Sequence, residues 1–144
     1  MHPYPHVYQV SVAGPPEGEV TLASPGLTGL VSQAPPEFDG PPGYWSPETL
    51  LVAAVADCFL LSFRAVARAS KLEWIHLSAE VEGVLDRVEH VSRFSRFTTR
   101  ARLVVPAGTD AARARSLVER AEKICLVSNS LNAERHIETA VVEG

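Results

Sequence analysis

From Glu48 to Ser70 the chain contains neither glycine nor proline, in a 144-residue sequence with 9 glycines and 11 prolines. Such a run has nothing to stop a helix once one has begun. It also has a start signal: Ser46 as N-cap, Pro47 at the first helical position, where its missing N–H costs nothing, and Glu48 facing the positive end of the helix dipole. Leu50, Leu51, Val52, Ala53, Ala54, Val55, Phe59, Leu60, Leu61 and Phe63 cover every side of this helix. A helix apolar all round has to be enclosed, either by other elements of the chain or by a second subunit. The fold is therefore built around it.

The flanking sequence supplies strands for that purpose. Residues 6–13 alternate, Gly14-Pro-Pro-Glu-Gly18 is a turn signal, and residues 19–23 alternate again, which predicts a hairpin. Leu27 to Val31 gives a third short strand, and the Pro- and Gly-rich segment 33–44 a loop. After the helix, Ile75, Leu77, Ala79 and Val81 alternate with polar residues. So do Phe97, Thr99, Ala101, Leu103 and Val105, as a partner strand. Thr109 or Asp110 caps a second helix, in which Leu117, Val118, Ala121, Ile124 and Cys125 form one buried stripe. A last strand spans Ile137 to Val142. The order βββ-α-ββ-α-β predicts an α+β fold, and the length fits one domain over residues 1–144.

Charge narrows the function. Residues 1–63 contain no Lys or Arg and carry −6, against +2 for the remainder and −4 for the whole. With no basic stripe interleaved with aromatics, nucleic acid is not an expected partner. The stretch Leu50–Phe63, broken by Asp57 and Ser62, falls short of the ~18–20 apolar residues of a bilayer span, so no membrane partner is expected. The N-terminus has neither the charged nor the apolar region of a secretory signal, which points to the cytoplasm. The five histidines are scattered, with no zinc-ligand spacing. There is no glycine-rich phosphate loop, no Gly-x-Ser-x-Gly elbow and no Cys-x-x-Cys, so neither cofactor nor metal is expected.

The two cysteines, Cys58 and Cys125, admit two readings. Free cysteine is among the most buried residue types, and both can be small core hydrophobes. In a reducing compartment, however, a pair of cysteines is more often catalytic, sensing or metal-binding than a permanent staple.

The local sequences favour the second reading. Ser46-Pro-Glu-Thr-Leu-Leu-Val-Ala-Ala-Val-Ala-Asp-Cys58-Phe59 resembles the first cysteine helix of the OsmC/Ohr family: a Ser/Asn-Pro-Glu start, then an alanine-rich run ending in Cys. Ala121-Glu-Lys-Ile-Cys125-Leu-Val-Ser-Asn-Ser-Leu131 is similar to that family's other cysteine segment. The motifs stand in the family's order, 67 residues apart, with the strand pair between them. The resemblance covers roughly residues 40–142.

It implies an intertwined homodimer, with the two helices central, packed against sheets, and a site at each subunit interface. It also implies reduction of organic or small hydroperoxides, with Cys58 attacking, Cys125 resolving, Glu48 as the acid of the site and a thiol or lipoyl reductant. Glu48 precedes Cys58 by ten residues, ~15 Å along a straight helix. It would therefore serve the other subunit's cysteines, unless it only complements its own helix dipole.

Two features depart from the family pattern. Its peroxidases carry an arginine in the N-terminal hairpin region to support the thiolate, whereas nothing basic precedes Arg64 here apart from His2 and His6. Arg64, Arg68, Arg96, Arg100 and Arg102 are the candidate substitutes, against the ordinary role of solvated surface charges. Leu126 also replaces the proline that often follows the second cysteine. Both place the chain nearer the broad OsmC-like branch than the dedicated organic-hydroperoxide enzymes. The alternative to a peroxidase is a dimeric module that binds an apolar small molecule or is purely structural.

Overall fold

In the computed structural model, which describes residues 1–144, the glycine-free run is one helix, α1 (Pro47–Ala69). Ser46 Oγ accepts from the Thr49 N–H at 3.1 Å, and Thr49 Oγ1 accepts from the Ser46 N–H at 2.8 Å. This is a capping box with threonine in the place usually held by Glu or Gln. At the other end Lys71 takes a left-handed conformation (φ 55°). There the Leu72 N–H bonds back to the Ala67 carbonyl and the Lys71 N–H to that of Arg68, a Schellman ending made without glycine.

The chain divides into two compact units, Met1–Leu51 and Val52–Gly144. The first holds an antiparallel sheet of β1 (Ser11–Ala13), β2 (Val20–Ala23) and β3 (Leu30–Ser32), in that order. The strand predicted over residues 6–13 keeps only its last three residues. Its partner β2 ends at Ala23, and beyond that point a side chain, the Ser24 hydroxyl, meets the Gln9 carbonyl instead of a backbone donor. A 3-10 turn, Pro36–Phe38, lies in the Pro-rich loop.

The second unit holds β4 (His76–Val88), β5 (Val91–Val105), α2 (Ala111–Ile124), a single-turn helix α3 (Leu126–Asn129) and β6 (Glu134–Glu143). β5 is the middle strand, antiparallel to β4 and parallel to β6. The predicted alternation holds: Phe97, Thr99, Ala101, Leu103 and Val105 are all buried. α2 starts at Asp110, whose carboxylate accepts from the Arg113 N–H at 3.1 Å, and covers the sheet with Ala114, Leu117, Val118 and Ala121. α1 closes the core with Phe59, Phe63, Val66 and Ala67.

Three expectations change, and one left open narrows. The strands of the second sheet are longer than predicted, because β4 and β5 continue through a two-residue turn, Glu89-His90, that lacks the usual Asn-Gly signature. Ile75 precedes β4 and is 54% exposed, and Ile124 is 49% exposed at the edge of the α2 stripe, next to Leu117 rather than at its centre. Within the chain only one stripe of α1 is buried, so the chain's own elements do not enclose it. And α1, at 23 residues with a mean hydropathy of 2.0 over its most apolar 18 residues, is long and apolar enough to cross a membrane by length and composition. Its buried stripe is instead part of the core.

Candidate active site

Cys58 lies in the middle of α1 and is partly exposed. Its thiol has a weak contact with the Ser62 hydroxyl, one turn on, at 3.9 Å.

Cys125 is not part of the second helix, as its sequence position suggested, but the junction between α2 and α3. Its backbone (φ −58°, ψ 108°) breaks the helix. Its N–H closes α2 on the Glu122 carbonyl at 3.3 Å, and its carbonyl opens α3 by accepting from Asn129 at 2.9 Å. The side chain faces inward at the break: Cys125 is 0% exposed, and its Sγ lies 4.0 Å from the Val55 carbonyl of α1.

Burial pushes the Cys125 thiol above its ordinary value of 9.0, because the charged form is deprived of water. Hydrogen bonds from the Ser128 side chain and backbone oppose this, and the neighbouring Cys58 thiol adds to it. Two cysteines far apart in sequence are thus brought together. One is partly exposed and the other is sealed and held as the neutral thiol at neutral pH.

Glu48 belongs to the N-terminal unit. Its Oε1 is buried and has no hydrogen-bond partner. The residue lines a cavity of about 310 Å³ with Gly18, Val20, Ser32, Gln33 and Phe38. Among the arginines considered as substitutes, Arg100 is engaged by Glu138 at 3.0 Å and Glu82 at 3.9 Å. Arg64, Arg68, Arg96 and Arg102 are exposed.

Ser62 and Ser128 were not singled out in the sequence. Ser62 carried a signal, the i+4 spacing from Cys58 on a helix. Ser128 carried a similar one, standing three residues after Cys125.

Residues 40–140 match the family model of OsmC-like proteins. The chain belongs to the OsmC family. The uncharacterised protein YmaD of Bacillus subtilis is 30% identical over 129 residues, covering 86% of this chain and 85% of its own. An OsmC-like protein of unknown function from Vibrio cholerae superposes with a TM-score of 0.85 at 16% identity, covering 94% of this chain and 99% of that one. An organic hydroperoxide resistance protein from Legionella pneumophila has a TM-score of 0.74 at 25% identity, covering 95% and 97%.

Proposed function

We propose that this protein is a thiol peroxidase that reduces organic or small hydroperoxides through Cys58 and Cys125. The observation that carries the reading is the pairing of an accessible thiol with an enclosed one. The Cys58 thiolate attacks the O–O bond: an S–O bond forms, the O–O bond breaks, and the alkoxide takes up a proton and leaves as alcohol. The sulfur loses two electrons and the peroxide gains them. The Cys125 sulfur then attacks the sulfenic acid, the S–S bond forms, and the hydroxyl leaves with the thiol proton as water. A dithiol reductant, of which a lipoyl group is one kind, restores both thiols with two electrons and two protons.

Family membership supports a role in peroxide resistance or thiol redox chemistry, and the name of the Legionella relative points the same way. In this reading the chain works as an intertwined homodimer in the cytoplasm, where thiol reductants complete the cycle, and Glu48 is the acid of the interface site. The enclosure of Cys125 keeps peroxide away from the resolving thiol, so oxidation starts at Cys58.

A second reading, a dimeric module that binds a small molecule without turning it over, is favoured by two observations. Glu48 has an unpartnered buried oxygen on a cavity, and no Lys or Arg precedes Arg64 to support a thiolate. Consumption of cumene hydroperoxide by wild type and by Cys58→Ser separates the two. The peroxidase reading expects consumption by wild type and its loss in the variant; equal rates would sink it.

A further inference from the structure

We propose that Arg135 is the positioning residue of Cys125: it clasps the two helix ends on either side of this cysteine and so holds its thiol against Cys58. The inference rests on the two-cysteine cycle proposed above and deepens it by naming what sets the resolving step.

Arg135 is the second residue of β6, ten residues beyond Cys125. Its Nε donates to Glu122 Oε1 at 2.6 Å, and its Nη2 donates to the Glu122 backbone carbonyl. Its Nη1 donates to Asn129 Oδ1 at 2.5 Å. Glu122 stands three residues before Cys125 and Asn129 four after it. One planar group therefore spans the end of α2, the cysteine and the end of α3. The ion pair is well enclosed, the side chains of Arg135 and Glu122 being 25% and 14% exposed. Charge-assisted bonds in so shielded a place are stronger than surface pairs and fix direction as well as distance.

The break at Cys125 makes such a clasp necessary. A continuous helix would fix the direction of a side chain by itself, but at a junction two short ends swing independently unless something ties them. Arg93 adds a second tie further along, donating from Nη1 to the Asn132 carbonyl at 3.0 Å. Both arginines issue from the sheet β4-β5-β6, so the junction is tied to that sheet. Disulfide formation is demanding in geometry: the Cα atoms must come within ~7 Å with the Cβ vectors facing.

The test follows single-turnover oxidation of Arg135→Met and Arg135→Lys by quenched mass spectrometry. It counts trapped Cys58 sulfenic acid, Cys58–Cys125 disulfide and over-oxidised Cys58. We expect sulfenic acid to form within about twofold of wild type while disulfide closure slows about tenfold and over-oxidised Cys58 accumulates. Lysine keeps the charge but not the fork, so Arg135→Lys recovers only part of the loss. Disulfide closure at the wild-type rate in Arg135→Met, or equal slowing of both steps, would overturn the proposal.

Should Arg135→Met not fold, Asn129→Ala, an exposed position that removes one of the three bonds, is expected to slow closure about threefold; no slowing would count against the clasp. Oxidation by diamide reads the geometry without peroxide. If wild type fails to react with peroxide, the peroxidase reading falls. A tenfold slower diamide closure in Arg135→Met then still supports the clasp, and equal closure overturns it.

Discussion

Cys125 is wholly enclosed, and burial, more than any neighbour, lifts its thiol above the ordinary value of 9.0. Well below pH 9.0 the thiol is protonated in both the native and the unfolded chain and contributes no pH dependence. Above it the unfolded chain releases a proton that the native state keeps, so stability falls as pH rises toward the folded value, with a limiting slope of ~1.4 kcal/mol per pH unit. Urea unfolding of wild type and Cys125→Ala is expected to show an alkaline loss, between pH 8 and about pH 10, that is larger in wild type. Replacing the same residue with serine removes the resolving thiol. Under stoichiometric hydroperoxide, Cys125→Ser is expected to accumulate sulfinic Cys58 where wild type forms a disulfide, as mass spectrometry would record. Both cysteines were legible in the sequence because each sits in a run of fixed local pattern. The clasp around Cys125 was not: Arg135 bonds Glu122 and Asn129 on either side of it from the next strand, a contact that residue periodicity does not carry.

Among the elements, the β4–β5 hairpin departs most from what local rules predict. Val88 pairs with Val91 across Glu89 and His90, whose φ values are 52° and 67°. Two non-glycine residues in the left-handed region are strained, which is why Asn-Gly dominates such turns. The double substitution Glu89→Asn with His90→Gly is expected to raise stability by about 1 kcal/mol in urea unfolding. The absent turn signature also explains why the sequence predicts these strands as short segments, whereas alternation gives the buried positions of β5 and Leu77 of β4 correctly and misses at Ile75. Higher up the same hairpin, Gly83 admits no side chain. A Cβ there would lie 2.8 Å from Val52 Cγ2 and 3.0 Å from Phe97 Cε1. Gly83→Ala is expected to cost about 1–3 kcal/mol in the same measurement, through overpacking.

At the scale of the whole molecule, one chain leaves large apolar side chains open in both of its units. Leu61 on α1 is 49% exposed, and Val7, Tyr8, Val10 and Val12 are all exposed. Sedimentation equilibrium is expected to give the mass of two chains, and Leu61→Asp to shift the equilibrium toward one. The sequence announced this excess, since α1 is apolar on every face, but burial counted along one chain could not say what meets it. The parallel pairing of β6 has a consequence of a different kind. The β4–β5 hairpin closes over two residues, but β6 reaches β5 only after the chain has gone through α2 and α3. Closing that crossover carries an entropic cost the hairpin escapes, so the C-terminal strand docks late in folding. Cys125 rides on the crossover itself. The two thiols are therefore strangers in a half-folded chain, and their ability to join is a report that folding is complete.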